Sequence, residues 1–407
     1  MPRADRRRKS RVLPSLAVLA LASLVAACAQ QPIAPEPPRA EAPAPAQPQP
    51  QPQPRVEAPL PQEQSTRVAM LVPLTGQAGA TGQALLNAGQ MAVFDVADER
   101  FVLQPYDTKG TAAGAREAAA RAIAEGAQLI LGPLFAENVR AVAPQAQAAQ
   151  VKVVSFSTDT TVAGDGIYVM GLLLQEQADA LVGFGKSRGV ERYGVLAPSS
   201  DYGRAMATAL RDSANRAGAQ VVQVEYYSPG GPPQEAIRRL TQNASSMQAL
   251  LLPERGGKLR EVAAMLPYTG IRPDQVQFLG TLLWTDEQGL GREPALEGAW
   301  FPAPPPQSRE YFTRRYREAY GSEPPAIASL GYDAAALAAV LASRGQPGQR
   351  FSDGALTNPN GFMGVDGLFR LERGGLVDRT FAIMRVTPSG AELIAPAPDS
   401  FTPRVGS

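Results

Sequence analysis

VAMLVPL, from Val68 to Leu74, leads through TGQAGATG (Thr75 to Gly82) into QALLNAGQMAVFDVADE, which ends at Glu99. The first piece is a short apolar run rich in strand formers, stopped by Thr75-Gly76. The last piece carries Leu85, Leu86, Ala88, Met91 and Ala92 at helical spacing. The glycines between them, Gly76, Gly79 and Gly82, fall as G-x-x-G-x-x-G rather than the G-x-G-x-x-G of a dinucleotide site, so that chemistry is set aside. The loop is built for close approach of backbone to a ligand, which makes Thr75 and Gly76 candidate binding residues.

The same rhythm continues outward. FVLQPYD (Phe101 to Asp107) reads as a strand, AGAREAAARAIAEG as a helix closed by Gly126, LILGPL from Leu129 as a strand, ENVRAVAPQAQAA from Glu137 as a helix interrupted near Pro144, and KVVSFST from Lys152 as a strand. Strand and helix alternating in this way imply a parallel sheet with helices on both faces. The rhythm restarts with the helix QEQADALVGFGKSRG and the strand YGVLAP (Tyr193 to Pro198) and runs through ALLLPE, KLREVAAML and QFLGTLL. AWFPAP (Ala299 to Pro304) reads as a crossover back, and GLFRLERGG with FAIMRVTP as a hairpin near the hinge. The expected fold is α/β, with two doubly wound parallel-sheet lobes joined by a hinge. Lobe 1 is expected over about 66–171 and 304–346, lobe 2 over about 172–303 and 347–395, with a tail over 396–407.

Ahead of these lobes stand two segments of different character. Arg3, Arg6, Arg7, Arg8, Lys9 and Arg11 precede the apolar stretch VLPSLAVLALASLVAA, and Cys28 follows at once. The stretch is short for a membrane span and has the form of a secretory signal over 1–27. Leu24-Val25-Ala26-Ala27-Cys28 resembles a bacterial lipobox, which implies lipid attachment at Cys28 and a membrane anchor; Ala29, where an Asp would signal inner-membrane retention, directs it to the outer membrane. Residues 28–65 are then a Pro/Ala/Gln-rich tract that includes QPQPQPQP. Proline removes backbone donors, so the tract is expected as a disordered tether; at about 3.1 Å per residue, about 35 residues span roughly 100 Å when extended.

Composition excludes several functions. The chain has 407 residues, no histidine and one cysteine, which removes Ser-His-Asp and Cys-His catalysis, imidazole zinc sites and intramolecular disulfides. The net charge of +1, without a basic block beyond residue 11, offers no nucleic-acid surface. No constellation of carboxylates supports catalysis, so no catalytic residue, metal site or cofactor is assigned: the chain is read as a binding protein and not an enzyme.

VAMLVPLTG, LILGPL, VKVVSFST, APSSDYGRAM and LLLPERGGKL, in this order, resemble the type I periplasmic-binding-protein superfamily, in its leucine/isoleucine/valine-binding branch. GTLLWTDE, GAWFPAP and ASLGYDAAALAAVL resemble more particularly the penicillin-binding-protein activator lipoproteins. The resemblance implies a ligand cleft between the lobes, at the carboxyl ends of the strands. It implies that Ser155, Ser157, Thr158 and Asp159 lie at that cleft after the fourth strand, that Tyr202 lines it, and that Glu254 takes a ligand ammonium. It also implies a departure: Ala136 stands where amino-acid receptors carry a hydroxyl, and Asp159 where a second one is expected. A carboxylate there repels a ligand carboxylate. Each residue also has a plain structural role open to it, with Ser and Thr as helix caps, Glu254 as a solvated helix start, Trp284 as packing, and Asp107 and Asp201 as turn residues. Two functions follow from the resemblance: an anchored periplasmic activator or scaffold of a penicillin-binding protein in peptidoglycan synthesis, or a substrate-binding lipoprotein of an ABC importer holding a small amphipathic solute in the cleft.

Overall fold

Strands of this chain are buried on both faces, and that calls for helices on either side of each sheet. In the computed structural model, which describes residues 65–401, β1 (Thr66–Val72) has Val68, Met70, Leu71 and Val72 wholly buried. It is followed by α1 (Gly79–Val96), β2 (Phe101–Asp107), α2 (Ala112–Ala124), β3 (Leu129–Leu131), α3 (Ala136–Ala148), β4 (Lys152–Ser155) and β5 (Ile167–Val169). These strands form a parallel sheet in the order β2-β1-β3-β4-β5. The signal segment, Cys28, the proline-rich tract and residues 402–407 lie outside the described residues.

The second lobe starts at α4 (Leu174–Ser187) and continues through β6 (Arg192–Pro198), α5 (Asp201–Arg216), β7 (Gln220–Tyr227), α6 (Gln234–Thr241), β8 (Ala249–Leu251), α7 (Gly256–Met265), β9 (Gln277–Leu279) and β10 (Trp300–Ala303). The chain then returns to the first lobe as α8 (Pro306–Tyr320), α9 (Ala328–Arg344) and the short α10 (Asp353–Leu356). A small antiparallel sheet follows, β11 (Phe362–Gly364), β12 (Gly367–Leu371) and β13 (Val377–Arg379), before β14 (Ala382–Thr387) and β15 (Gly390–Ala395) rejoin the second lobe. The second sheet runs β15-β14-β10-β9-β8-β6-β7, with β14 and β15 antiparallel.

Three expectations are corrected. Residues 351–377, assigned with the second lobe, pack in the first: Phe351, Leu356, Phe369, Leu371 and Val377 share one core with β1. GLFRLERGG and FAIMRVTP do not pair with each other, since β12 lies between β11 and β13 while β14 lies between β10 and β15. Alternating apolar residues mark a strand but carry no address for its partner. Finally, α3 runs unbroken through Pro144. The proline forgoes one internal hydrogen bond, and burial of Val139, Val142 and Ala146 around it holds the helix.

In both lobes a glycine lets a helix start against the strand before it. A Cβ on Gly82 would lie 1.9 Å from the carbonyl oxygen of Pro73, and one on Gly203 would lie 2.1 Å from that of Pro198. The pressed turns place the α1 and α5 amino ends at the carboxyl edges of their sheets. Gly82→Ala is therefore expected to cost about 1–3 kcal/mol through overpacking. Gly183→Ala, where a Cβ meets nothing within 4 Å, should gain up to about 1 kcal/mol from helix propensity. Urea midpoints at unchanged m-value check both.

Candidate functional site

The loops at the carboxyl edges of the two sheets face each other across a cavity of about 870 Å³. Thr158 and Asp159, just after β4, form part of one wall; Asp201 and Tyr202 at the start of α5, Arg255 before α7 and Leu282 after β9 form part of the other. Leu172 and Leu174 line the cavity where the chain crosses into the second lobe. This is the position that the crossing of strand ends dictates for a ligand.

Of the residues expected at the site, Thr158, Asp159 and Tyr202 line the cavity, and Thr75, Gly76, Ser155, Ser157 and Glu254 are absent from its lining. The hydroxyl of Thr75 donates to Asp107 Oδ2 at 2.6 Å. Asp107 Oδ1 gathers the backbone N–H groups of Leu74 and Lys109 at 2.8 and 2.7 Å, so it is a turn residue whose hydrogen bonds outweigh burial and hold its pKa below the ordinary value. Gly76 has φ +79°, and a Cβ there would lie 3.3 Å from the Lys109 carbonyl oxygen. Ser155, wholly buried, donates to the Pro133 carbonyl at 3.0 Å, and Ser157 Oγ accepts from the Asp159 N–H at 3.1 Å. Ala136 opens α3 without a side-chain cap and packs on the first core.

Glu254 is also occupied. The Tyr227 hydroxyl donates to its Oε2 at 2.8 Å, and the Arg255 N–H to its Oε1 at 3.1 Å. Burial and the adjacent Glu254 carboxylate both push the Tyr227 phenol up. Trp284 is buried and donates its Nε1–H to the Glu254 carbonyl at 3.0 Å, as a packing residue does. Tyr202 remains in the cavity, with its hydroxyl donating to Thr281 Oγ1 at 2.9 Å and its pKa pushed up to about 12 by burial.

Helix amino ends at the cleft, where an anionic ligand group would sit, are filled by the chain itself. Asp159 accepts from the Thr161 N–H at 2.9 Å and its hydroxyl at 2.6 Å. Ser200 Oγ accepts from Gly203 N–H at 3.2 Å at the start of α5. Glu287 accepts from Gly256 N–H at 2.9 Å at the start of α7 and from Arg260 at 2.8 Å. The sequence reading assigns no site role to Glu287 or to Gln177, which accepts from the Leu282 N–H at 3.1 Å. Glu287 stands 31 residues from the helix it caps, and such spacing carries no local signal. Arg255 is exposed at the cavity, and among the described residues no carboxylate pairs with it.

The periplasmic binding protein family matches residues 65–391. The chain is 27% identical over 217 residues to the penicillin-binding protein activator LpoA of Mannheimia succiniciproducens, a match over 52% of this chain and 36% of that one. It therefore spans little more than a third of this relative's length. Among solved structures, a putative branched-chain amino acid ABC transporter protein of Rhodospirillum rubrum aligns with TM-score 0.71 at 17% identity, covering 81% of this chain and 100% of that one. Full-length LpoA of Haemophilus influenzae aligns with TM-score 0.65 at 17% identity, over 81% of this chain and 59% of that one.

Asp159 is held below the ordinary carboxylate pKa first by its hydrogen bonds from Thr161 and then by Arg140, whose guanidinium donates to Oδ2 at 2.7 Å. A lowered pKa means that its contribution to stability is present above the unfolded carboxylate range and lost as pH falls through the folded value. Carboxyl-carbon NMR titration should place its midpoint below 3.8. Thr161→Val and Arg140→Ala should each move the midpoint upward; a variant that leaves it in place would refute the role of that partner.

Proposed function

The chain belongs to the periplasmic binding protein family, and we propose that within it the chain acts as an anchored regulator of a penicillin-binding protein rather than as a solute receptor. The observation that carries this reading is the self-satisfied cleft. Asp159 and Glu287 in the cavity wall, and Ser155, Ser157 and Glu254 outside its lining, spend their hydrogen bonds on the protein itself, and Ala136 supplies none. A receptor for a free amino acid needs those groups unspent, because a ligand must repay the water it loses on entering the cleft. The partial similarity to the two activators supports the same direction.

In this reading Cys28 carries the lipid, the outer membrane holds the anchor, and the proline-rich tract carries the lobes toward the synthase across the periplasm. The role is binding, with no catalytic step. A receptor function for an ABC importer is the second reading. Two features favour it: the cavity of about 870 Å³, and Arg255 at its wall, which has no carboxylate partner among the described residues and suits an anionic group.

Mild crosslinking of the full tagged chain in its own envelope, followed by mass spectrometry, tests both. Enrichment of a penicillin-binding protein is expected. Enrichment of importer membrane subunits without any wall synthase would overturn the first reading and establish the second.

A further inference from the structure

In the first lobe, α1, α8, α9 and β11 surround an open cavity of about 400 Å³. Its walls are apolar and aromatic: Met91 of α1, Tyr311 and Phe312 of α8, Tyr332 of α9, and Met363 and Val365 at β11 and just after it. Met91, Phe312 and Val365 are buried in a small core of their own. Tyr311 and Met363 instead stand 52% and 67% exposed. Phe94 and Val96, on either side of Asp95 in the last turn of α1, are exposed as well. Exposed apolar groups gathered in one place, rather than scattered singly, mark a surface that something covers.

The polar groups of this cavity divide into spent and unspent. Asp95 is spent: Arg315 donates to its Oδ1 at 2.7 Å and the Tyr332 hydroxyl to its Oδ2 at 2.9 Å. Tyr311 Oη accepts from Arg315 at 3.0 Å, and its own proton is given to no acceptor among the described residues. The side chains of Gln307 and Ser308, in the first turn of α8, likewise make no hydrogen bond among the described residues. The cavity therefore offers neutral donors beside aromatic rings, with its one acid and one base already paired. A segment in polyproline-II conformation is the complement of such a wall, since its rings are apolar and its backbone carbonyls are unspent.

The chain itself carries such a segment a few residues ahead of β1. It is Pro59-Leu60-Pro61, and Leu60 and Val56 are the only large apolar side chains between Ala34 and Gln64. Thr66 opens β1, and its N–H donates to the Arg100 carbonyl at 2.7 Å. Asp95, in the cavity wall, stands five residues before Arg100 and so lies within about 18 Å of it. Leu60 stands six residues before Thr66, which at about 3.1 Å per residue gives a reach of about 19 Å. The two spans match. We propose that Pro59-Leu60-Pro61 docks in this cavity, with Leu60 between Met91 and Met363, a proline ring on Tyr311, and backbone carbonyls accepting from Tyr311, Gln307 and Ser308. Docking covers the exposed side chains, and it moves the point at which the preceding chain leaves the lobe from the end of β1 to α8. The site is separate from the cleft, and the inference holds whichever partner or solute the lobes serve.

NMR of isotope-labelled methionine methyl groups in the full chain tests the docking, because Met91 and Met363 line the cavity while Met206 and Met247 belong to cores of the second lobe. Leu60→Asp is expected to shift the Met91 and Met363 signals and to leave those of Met206 and Met247 in place, which also shows that the fold is intact. Val56→Asp, outside the docked segment, should leave all four in place. The free peptide Ala-Pro-Leu-Pro-Gln, added to the Leu60→Asp chain, should return the two shifted signals toward their original positions. It should bind the unaltered chain at least about tenfold more weakly, because a tethered segment competes at an effective concentration in the millimolar range. Met91 and Met363 signals that stay unmoved in Leu60→Asp would overturn the proposal. Equal peptide affinity of the two chains would also overturn it and make the cavity a site for a partner's segment. Shifts that vary with protein concentration would overturn it in favour of a second copy as the occupant.

Discussion

The joint between the lobes depends on the ion pair of Arg379 with Asp333, two side chains with 0% exposure each. Removing both charges from water is costly, and their mutual attraction offsets this only with help from further hydrogen bonds. The carboxylate has such help, and the guanidinium has a ring contact in its place. The Val365 N–H donates to Asp333 Oδ1 at 2.7 Å, and the guanidinium lies 4.8 Å from the centre of the Phe369 ring. Burial raises the Asp333 pKa, Arg379 lowers it, and the nearby Asp366 raises it again. Asp366 is itself buried, and it is held by Arg309 at 3.0 Å and by the Ser329 hydroxyl at 2.6 Å. A pair of this kind adds little net stability over an apolar pair, but it permits one geometry. Here that geometry pins β13 to α9, so the strand that leads back to the second lobe is anchored in the first.

The same economy of partners governs the cleft. In both lobes, a strand buried on both faces delivers its following loop to the edge where a ligand would sit, and the fold guarantees a cavity there. Whether the cavity recognises a polar solute depends on which groups remain unspent at its walls. Three capping side chains, Asp159, Ser200 and Glu287, fill helix amino ends that would otherwise attract an anion, and the tyrosine–carboxylate pair of Tyr227 and Glu254 is closed on itself. Each of these bonds stabilises its own turn. Their sum is a cleft whose recognition chemistry has been turned into scaffold, with Arg255 as the exception.

The sequence by itself determined the elements and their class. Apolar runs such as VAMLVPL and LILGPL, helical spacing from Leu85 to Ala92, and the glycines that end turns are local signals, because period and backbone freedom act over a few residues. Alternation of the two periods then made the sheets parallel and the lobes two. At the site, the resemblance to the type I periplasmic-binding-protein superfamily pointed to Thr158, Asp159 and Tyr202, which line the cavity, and equally to Ser155, Ser157 and Glu254, which do not. Only the tertiary structure decided the partners. It placed Phe369 and Val377 in the first lobe, turned Glu254 toward Tyr227, and brought Arg379 to Asp333 across 46 residues of chain. The physical reason is that a side chain's type states what it must be paired with, whereas which pairing is made depends on which segments the buried cores bring within hydrogen-bonding distance, and no local period records that.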